Sequence, residues 1–318
     1  MKSFDLSVLE FAGFDKVELS KEWDFLPKPK VIDFDTVKEI AEIKNPKTKL
    51  GDRILLGSHV LICGDSTSPE IVKRLMNGKK ADVIDVDMPY NQKLDYNKGV
   101  GGNKSNRNYG GDIDDNLSDS DYKEFARKLM QNAIDNSKKD VHAFFWCSDY
   151  YIWIFQTLYI QLGIANKRVL SWVKNGMSPT PGVAFNRATE SCCYGIKDKP
   201  YLSSNIYNLH EIVNEDIGTG NDLLDNIHNL ILVKRLPSNK YNHPTEKNYK
   251  VHENILKRCS KVGDIVLDLT AGSGSILTAC EELGRFAYMC ELNPIFCDVI
   301  VKRYELLTNQ KAVYESKS

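Results

Sequence analysis

Residues 262–307 constrain the fold more than any other stretch of the chain. Val262-Gly263-Asp264-Ile265-Val266-Leu267-Asp268-Leu269 is an apolar run of strand length. Six small residues follow, Thr270-Ala271-Gly272-Ser273-Gly274-Ser275, and Ile276 to Leu283 reads as a helix. Phe286-Ala287-Tyr288-Met289-Cys290-Glu291 is the next strand, and a helix runs from about Pro294 to Leu307. This is a β–α–β unit, and its glycine turn lets a ligand approach the backbone closely. Glu291 closes the second strand at roughly the 20-residue separation at which an acid can bind ribose hydroxyls.

The turn narrows the choice of nucleotide. The NAD fingerprint requires a third glycine, and position 277 is Leu. A phosphate loop requires Gly-Lys-Ser/Thr, which does not occur. S-adenosylmethionine remains, because its sulfonium brings no pyrophosphate to cradle. The bland alternative is a glycine turn that binds nothing.

The rest of the chain supports an α/β fold with a mostly parallel sheet. Leu50 to Ser66 reads as a hairpin, two apolar runs parted by Gly57-Ser58, with a helix starting near Pro69. Ala81-Asp82-Val83-Ile84-Asp85 is a strand that runs into Val86-Asp87-Met88-Pro89-Tyr90-Asn91 and then a Gly- and Asn-rich loop. A helix is expected at roughly 119–137, a strand at 141–146, a helix at about 150–162, and strands at 168–174 and 191–195. Strands alternating with helices predict parallel pairing. Residues 197–242 lose the alternation around a short strand near 230–234 and read as an insertion that touches the substrate. Residues 1–48 read as an N-terminal appendage broken by Leu26-Pro27-Lys28-Pro29-Lys30.

At a strand end, Asp87 offers an acceptor, Tyr90 a flat face for a base, and Pro89 confines Met88 to extended backbone, aiming its carbonyl. An acceptor pair beside a ring suits an exocyclic amino group on a planar heterocycle; an ordinary strand-end turn is the plain alternative. Lys93, Lys98, Lys104 and Arg107 lie among tyrosines in the loop 92–118, and Lys234, Arg235 and Lys240 lie beyond the short strand. These mixtures suit phosphates and stacked bases, though a solvated surface loop would look the same.

The formal net charge of −1 confines any DNA surface to local patches. No run of about 18 apolar residues occurs, and the N-terminus has no apolar signal core, so no membrane contact and a cytoplasmic location are expected. Eight cysteines without C-x-x-C spacing fit a reducing compartment, with no metal expected.

Asp87-Met88-Pro89-Tyr90 resembles the Asp-Pro-Pro-Tyr motif of the S-adenosylmethionine-dependent DNA amino-methyltransferases, which methylate adenine N6 or cytosine N4. Asp268 to Ser275 is similar to their Asp-x-Phe-x-Gly-Ser-Gly-Thr motif, with Thr270 in the Phe position, which is expected to loosen packing around the methionine moiety. His243-Pro244-Thr245-Glu246-Lys247-Asn248 resembles their His-Pro-Thr-x-Lys-Pro motif, with Asn248 for the second proline. The order of these motifs, catalytic stretch before cofactor turn, resembles the circularly permuted beta group over roughly residues 50–310. Leu50–Ser66 is similar to the region that follows a ParB-like domain in some phage and prophage members; no such domain is expected here.

The resemblance implies a Rossmann-like methyltransferase fold with helices on both faces and a target-recognition insertion at 197–242. It divides the chain into an appendage (1–48), a catalytic half (49–196), the insertion and a cofactor half (243–318). It implies catalysis by Asp87, Met88, Pro89 and Tyr90. It assigns cofactor contacts to Asp65, Ser66, His243, Thr245, Lys247, Asp268, Thr270, Ala271, Gly272, Ser273, Gly274, Ser275, Glu291, Leu292 and Asn293. It implies double-stranded DNA as the substrate and leaves a homodimer open. Acid at position 87 favours adenine N6, because the cytosine-N4 enzymes of the family more often carry Ser there. Cytosine-N4 methylation, or a DNA- and cofactor-binding protein whose chemistry is impaired by Met88, are the alternatives.

Overall fold

The computed structural model describes residue 34 and residues 36–91, 117–178, 187–203, 230–232 and 248–315. Its strands are β1 (Arg53–Leu56), β2 (His59–Cys63), β3 (Ala81–Asp87), β4 (Ser137–Cys147), β5 (Ala165–Ser178), β6 (Arg187–Lys197), β7 (Leu230–Leu232), β8 (Ile265–Asp268), β9 (Phe286–Glu291) and β10 (Val313–Tyr314). Its helices are α1 (Thr36–Glu42), α2 (Pro69–Met76), α3 (Asp119–Asp135), α4 (Ile152–Gln161), α5 (Lys250–Cys259), α6 (Ser275–Leu283) and α7 (Pro294–Thr308).

All the described strands join one sheet in the order β10-β1-β2-β9-β8-β3-β4-β6-β5-β7. The centre, β2-β9-β8-β3-β4, is parallel throughout. Antiparallel pairing begins at β6, which lies against both β4 and β5. Here the expected alternation of strand and helix fails. Only residues 179–186 join β5 to β6, and a parallel crossover needs about a dozen residues or more. The hairpin of β1 and β2 forms as the sequence predicts, turning at Gly57 and Ser58.

Side-chain alternation along the central strands gives the sheet two apolar faces. Ile84 and Val86 of β3 pack with Val72 and Leu75 of α2, Leu129 of α3 and Phe155 of α4. Val83 faces the other way, into a cluster with Leu256 of α5, Ile276 of α6 and Ile300 of α7. Helices thus cover both faces, as expected for a mostly parallel sheet.

Local chemistry sets the helix starts. The Ser68 hydroxyl accepts from the Ile71 N–H ahead of α2, with Pro69 as the first helical residue. Ser118 accepts from the Asp121 N–H ahead of α3, and Asn293 accepts from the Ile295 N–H ahead of α7, where Pro294 again stands first. Asn77, Asn309 and Gly284 take left-handed conformations that stop α2, α7 and α6.

Residues 36–48 lie along α7. Asp298 accepts from the backbone N–H of Lys47 and Thr48, Arg303 donates to the Thr36 hydroxyl at 2.9 Å, and Lys302 pairs with Glu39. No described helix is long and apolar enough to cross a membrane. All eight cysteines are buried free thiols.

Candidate active site

Adjacent parallel strands end together at one edge of the sheet, and each end carries an acid. Glu291 closes β9, Asp268 closes β8 and Asp87 closes β3. Asp65 follows β2, whose Cys63 pairs with Glu291, and the Gly64 N–H donates to the Glu291 carbonyl at 2.9 Å. Ligands of open α/β sheets bind beyond such carboxyl ends. The sequence holds these acids in two pairs, Asp65 with Asp87 and Asp268 with Glu291, well over a hundred residues apart; the sheet order brings them side by side.

The turn after β8 is held chiefly by backbone geometry. Gly272 and Gly274 have φ of 52° and 78°, a region L-residues seldom adopt. A Cβ on Gly274 would stand 2.9 Å from Cγ1 of Ile300 in α7. At Gly272 the nearest atom to such a Cβ is the Thr270 carbonyl oxygen at 3.9 Å, so this side of the turn is an open cradle. The Glu291 carboxylate accepts from the Gly272 N–H through Oε2 and from the Asn293 N–H through Oε1, both at 2.8 Å. The Asp268 carboxylate accepts from the Thr270 N–H at 3.0 Å.

Burial pushes the Glu291 carboxyl up to about 7, against the opposing pull of the backbone N–H groups of Asn293, Gly272 and Leu292. Burial likewise holds the Asp268 carboxyl well above the usual range, and the charges of Asp85, Asp87 and Glu291 push it the same way. A cluster of acids would disfavour a pyrophosphate and suit a ligand bearing a sulfonium and an ammonium, whose positive charges would in turn favour the ionised acids. The open cradle and the acids gathered around it fit S-adenosylmethionine.

The stretch after β3 is held from outside. The Thr270 hydroxyl donates to the Asp87 carbonyl at 2.8 Å, joining the cofactor turn to the catalytic stretch. The Met88 N–H donates to the Trp146 carbonyl of β4 at 3.3 Å, and the Met88 side chain, 1% exposed, packs in the apolar face of α2 to α4. Tyr122 of α3 donates its hydroxyl to the Pro89 carbonyl at 2.6 Å. Tyr90 packs against the opposite face and donates to Glu190 of β6 at 3.1 Å. Burial, then the Asp87 and Glu190 carboxylates, raise the Tyr90 hydroxyl well above its ordinary value, so it stays a neutral donor.

Asn91, left-handed at φ 48°, ends the stretch. Its amide donates to the Leu117 carbonyl and the Tyr151 hydroxyl, and its oxygen accepts from the Leu117 N–H at 2.8 Å. One side chain thus ties residue 91 to residue 117. Asp65 accepts from the N–H and hydroxyl of Thr67, and Asn132 of α3 donates to the Ser66 carbonyl. Leu292 is half exposed beside Glu291.

Sequence reasoning therefore anticipates the neighbours Asp65, Ser66, Asp87–Tyr90, Asp268–Ser275 and Glu291–Asn293. It does not anticipate Glu190, Asn91, Tyr122 or the Thr270–Asp87 bond, none of which has a local pattern. His243, Thr245, Lys247, Lys93, Lys98, Lys104, Arg107, Lys234, Arg235 and Lys240 lie outside the described residues. Among the described residues, no group of three or more His, Cys, Asp or Glu is arranged to hold a metal ion.

Known proteins resemble this chain in sequence and in fold. The chain is 24% identical over 257 residues to the type II methyltransferase M.HpaI of Haemophilus parainfluenzae, covering 77% of this chain and 74% of the relative. Its fold matches the crystal structure of M1.HpyAVI with bound S-adenosylmethionine at a TM-score of 0.53 and 20% identity, over 77% of this chain and 98% of that one. It also matches the cytosine-N4-specific PvuII DNA methyltransferase at a TM-score of 0.54 and 14% identity, over 84% and 97% of the respective chains. At such identities these structures establish the shared methyltransferase fold. The DNA methylase family of N6 and N4 type matches residues 81–302, from the first residue of β3 into α7, and so takes in both the Asp87 stretch and the cofactor turn. Well over half of the chain is thereby accounted for, and the chain belongs to the N6/N4 DNA methylase family.

Proposed function

We propose that this protein transfers the methyl group of S-adenosylmethionine to N6 of adenine at a specific site in double-stranded DNA. One observation carries the reading: the Asp87 stretch and the glycine turn end adjacent strands and are bonded to each other through Thr270 at 2.8 Å. A methyl donor on one and an amino group on the other would meet with little motion, and proximity of that kind supplies most of the acceleration such a reaction needs.

The donor's bound form supplies an electrophilic methyl on a sulfonium. Glu291 would accept from the ribose hydroxyls, Leu292 and Asp65 would flank the adenine, and Asp268, Thr270 to Ser275 and Asn293 would hold the methionine end. His243, Thr245 and Lys247 complete that end, a hydroxyl and an ammonium being natural partners for a carboxylate.

The target adenine must leave the duplex to be reached. It stacks on Tyr90, whose ring is steadied by Glu190. Its amino group donates to the Asp87 carboxylate and the Met88 carbonyl, which draws the nitrogen lone pair out of conjugation and aims it at the methyl group. Lys93, Lys98, Lys104 and Arg107, with Lys234, Arg235 and Lys240, contact phosphates. Residues 197–242 read the site, 49–196 and 243–318 form the catalytic and cofactor halves, and 1–48 are accessory. The likeness to a type II methyltransferase supports a restriction–modification setting.

The test is incorporation of labelled methyl into DNA followed by digestion to nucleosides. N6-methyladenine is expected. N4-methylcytosine would overturn the base assignment, and binding of DNA and cofactor without incorporation would overturn the enzyme.

A further inference from the structure

Inside the sheet, two residues before Asp87, the chain places a carboxylate where an aliphatic residue would pack. Asp85 is wholly buried on β3, on the same face as Asp87. Its Oδ1 accepts from the indole N–H of Trp146 at 3.0 Å, and its Oδ2 lies 2.8 Å from Nδ1 of His252 on α5. His252 is also buried, and its Nε2 lies 3.0 Å from the Ser275 hydroxyl oxygen. Ser275 is the first residue of α6 and the last of the glycine turn. Replacing buried, mutually bonded polar groups by apolar groups of the same shape is often nearly neutral or stabilising. Polar groups so arranged therefore gain little as a device for stability alone.

The chain of bonds has a direction. The indole can only donate, so Oδ1 accepts and Oδ2 is left to receive a proton from Nδ1 of His252. With that tautomer Nε2 accepts and the Ser275 O–H donates to it. With its proton so committed, the Ser275 oxygen keeps lone pairs with which to accept from another donor. That makes it an acceptor for a cation.

The three partners come from three segments of the proposed site. Asp85 shares β3 with Asp87, His252 lies five residues past Lys247, and Ser275 closes the turn. We propose that Asp85 and His252 are positioning residues that orient the Ser275 hydroxyl to accept from the ammonium of the cofactor's amino-acid end. This rests on reading the turn as the S-adenosylmethionine site.

Asp85→Asn tests it. An amide that still accepts from Trp146 turns its NH2 toward His252, which moves the ring proton to Nε2 and reverses the Ser275 bond, as an Asp-to-Asn change imposes the wrong tautomer in a Ser-His-Asp triad. Two probes separate the outcomes by calorimetry without DNA. S-adenosylhomocysteine has the amino-acid end, and 5′-methylthioadenosine lacks it. The variant should bind the first about tenfold or more weakly and the second within about twofold of the parent. Nitrogen-15 spectra should show the His252 proton on Nδ1 in the parent and on Nε2 in the variant. In a Ser275→Ala background the selective loss should vanish. If Asp85→Asn does not fold, His252→Asn, which keeps a donor toward Asp85 and deletes the partner of Ser275, carries the same two-probe comparison. Equal losses for both probes, or none for either, would overturn the proposal by reducing the trio to a structural or idle element. A parent that binds neither probe would instead overturn the cofactor reading.

Discussion

The turn after β8 and the stretch after β3 end neighbouring strands yet are built in opposite ways. The first is shaped by its own residues: two glycines at positive φ, with one distant carboxylate, Glu291, receiving a turn N–H. The second has no such inner logic. Thr270, Trp146, Tyr122 and Glu190 hold its backbone and ring, and Asn91 fastens its end to Leu117. A turn that encodes most of its own shape is damaged chiefly at its own positions. A stretch held from outside can be damaged anywhere along its supports.

The largest expected effect tests whether the two ends have separate duties. Asp87→Asn keeps size and removes the charge proposed to receive the amino group, so single-turnover methylation should fall on the order of 1000-fold. S-adenosylhomocysteine affinity should stay within about twofold. Substantial methyl transfer by a folded Asp87→Asn protein would sink the division of labour.

Gly272→Val strikes the other end. Its Cβ would meet no protein atom closer than 3.9 Å, so the fold should survive with a left-handed strain of about 1–2 kcal/mol. The branched side chain would fill the cradle, and cofactor binding should become undetectable by calorimetry. Gly274→Val, by contrast, would collide with Ile300 and should lower stability as well as binding. Unchanged titration by the first variant would remove the cofactor from this turn.

The contrast also explains what the sequence reveals. Gly272 and Gly274 announce a turn because φ above zero leaves few other choices, and Asp268 and Glu291 stand at or near the ends of continuous apolar runs of strand length. The central strands and most helices are legible for the same reason, down to the Ser-Pro start at Pro69 and the Asn-Pro start of α7. The antiparallel return of β6 against β4 and β5 is not, because strand direction depends on a short connection rather than on strand composition. Glu190, Asn91 and His252 are likewise silent. Each is a polar residue whose meaning is a partner dozens to hundreds of positions away.

Thr270→Val asks how tightly the two ends are coupled. The change is nearly isosteric and removes the 2.8 Å bond to the Asp87 carbonyl. A bond of this kind contributes about 1 kcal/mol, and the resulting slack at Asp87 should slow single-turnover methylation about tenfold while cofactor affinity holds. An unchanged rate would show that the two strand ends are aligned by the sheet alone.

The Glu291 carboxyl gives the turn a pH signature. In the folded chain it keeps its proton up to about 7, against an ordinary value of 4.5. Between those values the folded state holds more protons than the unfolded one, so stability falls as pH rises through that window and levels off above it. Ribose hydroxyls need the ionised acceptor, so cofactor affinity should move the other way and rise severalfold from pH 6 to pH 8. Urea titrations and calorimetry across this range check both slopes, and Glu291→Gln should flatten them. Parallel slopes in the Gln variant would mean that another group titrates.

Met88 should give the smallest effect, and the structure changes what it teaches. On the sequence alone, Pro at this position would fix φ and preorganise the site, so Met88→Pro would speed the reaction; a pocket-shaping Met side chain would make the same change slow it. The side chain is buried in the core on the face of α2 to α4 rather than facing a base, which removes the pocket-shaping account. The Met88 N–H, however, donates to the Trp146 carbonyl at 3.3 Å, a bond Pro cannot make. Preorganisation gained at φ is then offset by a lost rung between β3 and β4. Met88→Pro should therefore change the single-turnover rate by less than about threefold while lowering stability by roughly 1–3 kcal/mol. Met88→Leu, which keeps the N–H and nearly the volume, should cost less than about 1.5 kcal/mol and leave the rate alone. A large acceleration by Met88→Pro would show that the ladder bond is idle and that the stretch after β3 can, after all, be improved from within.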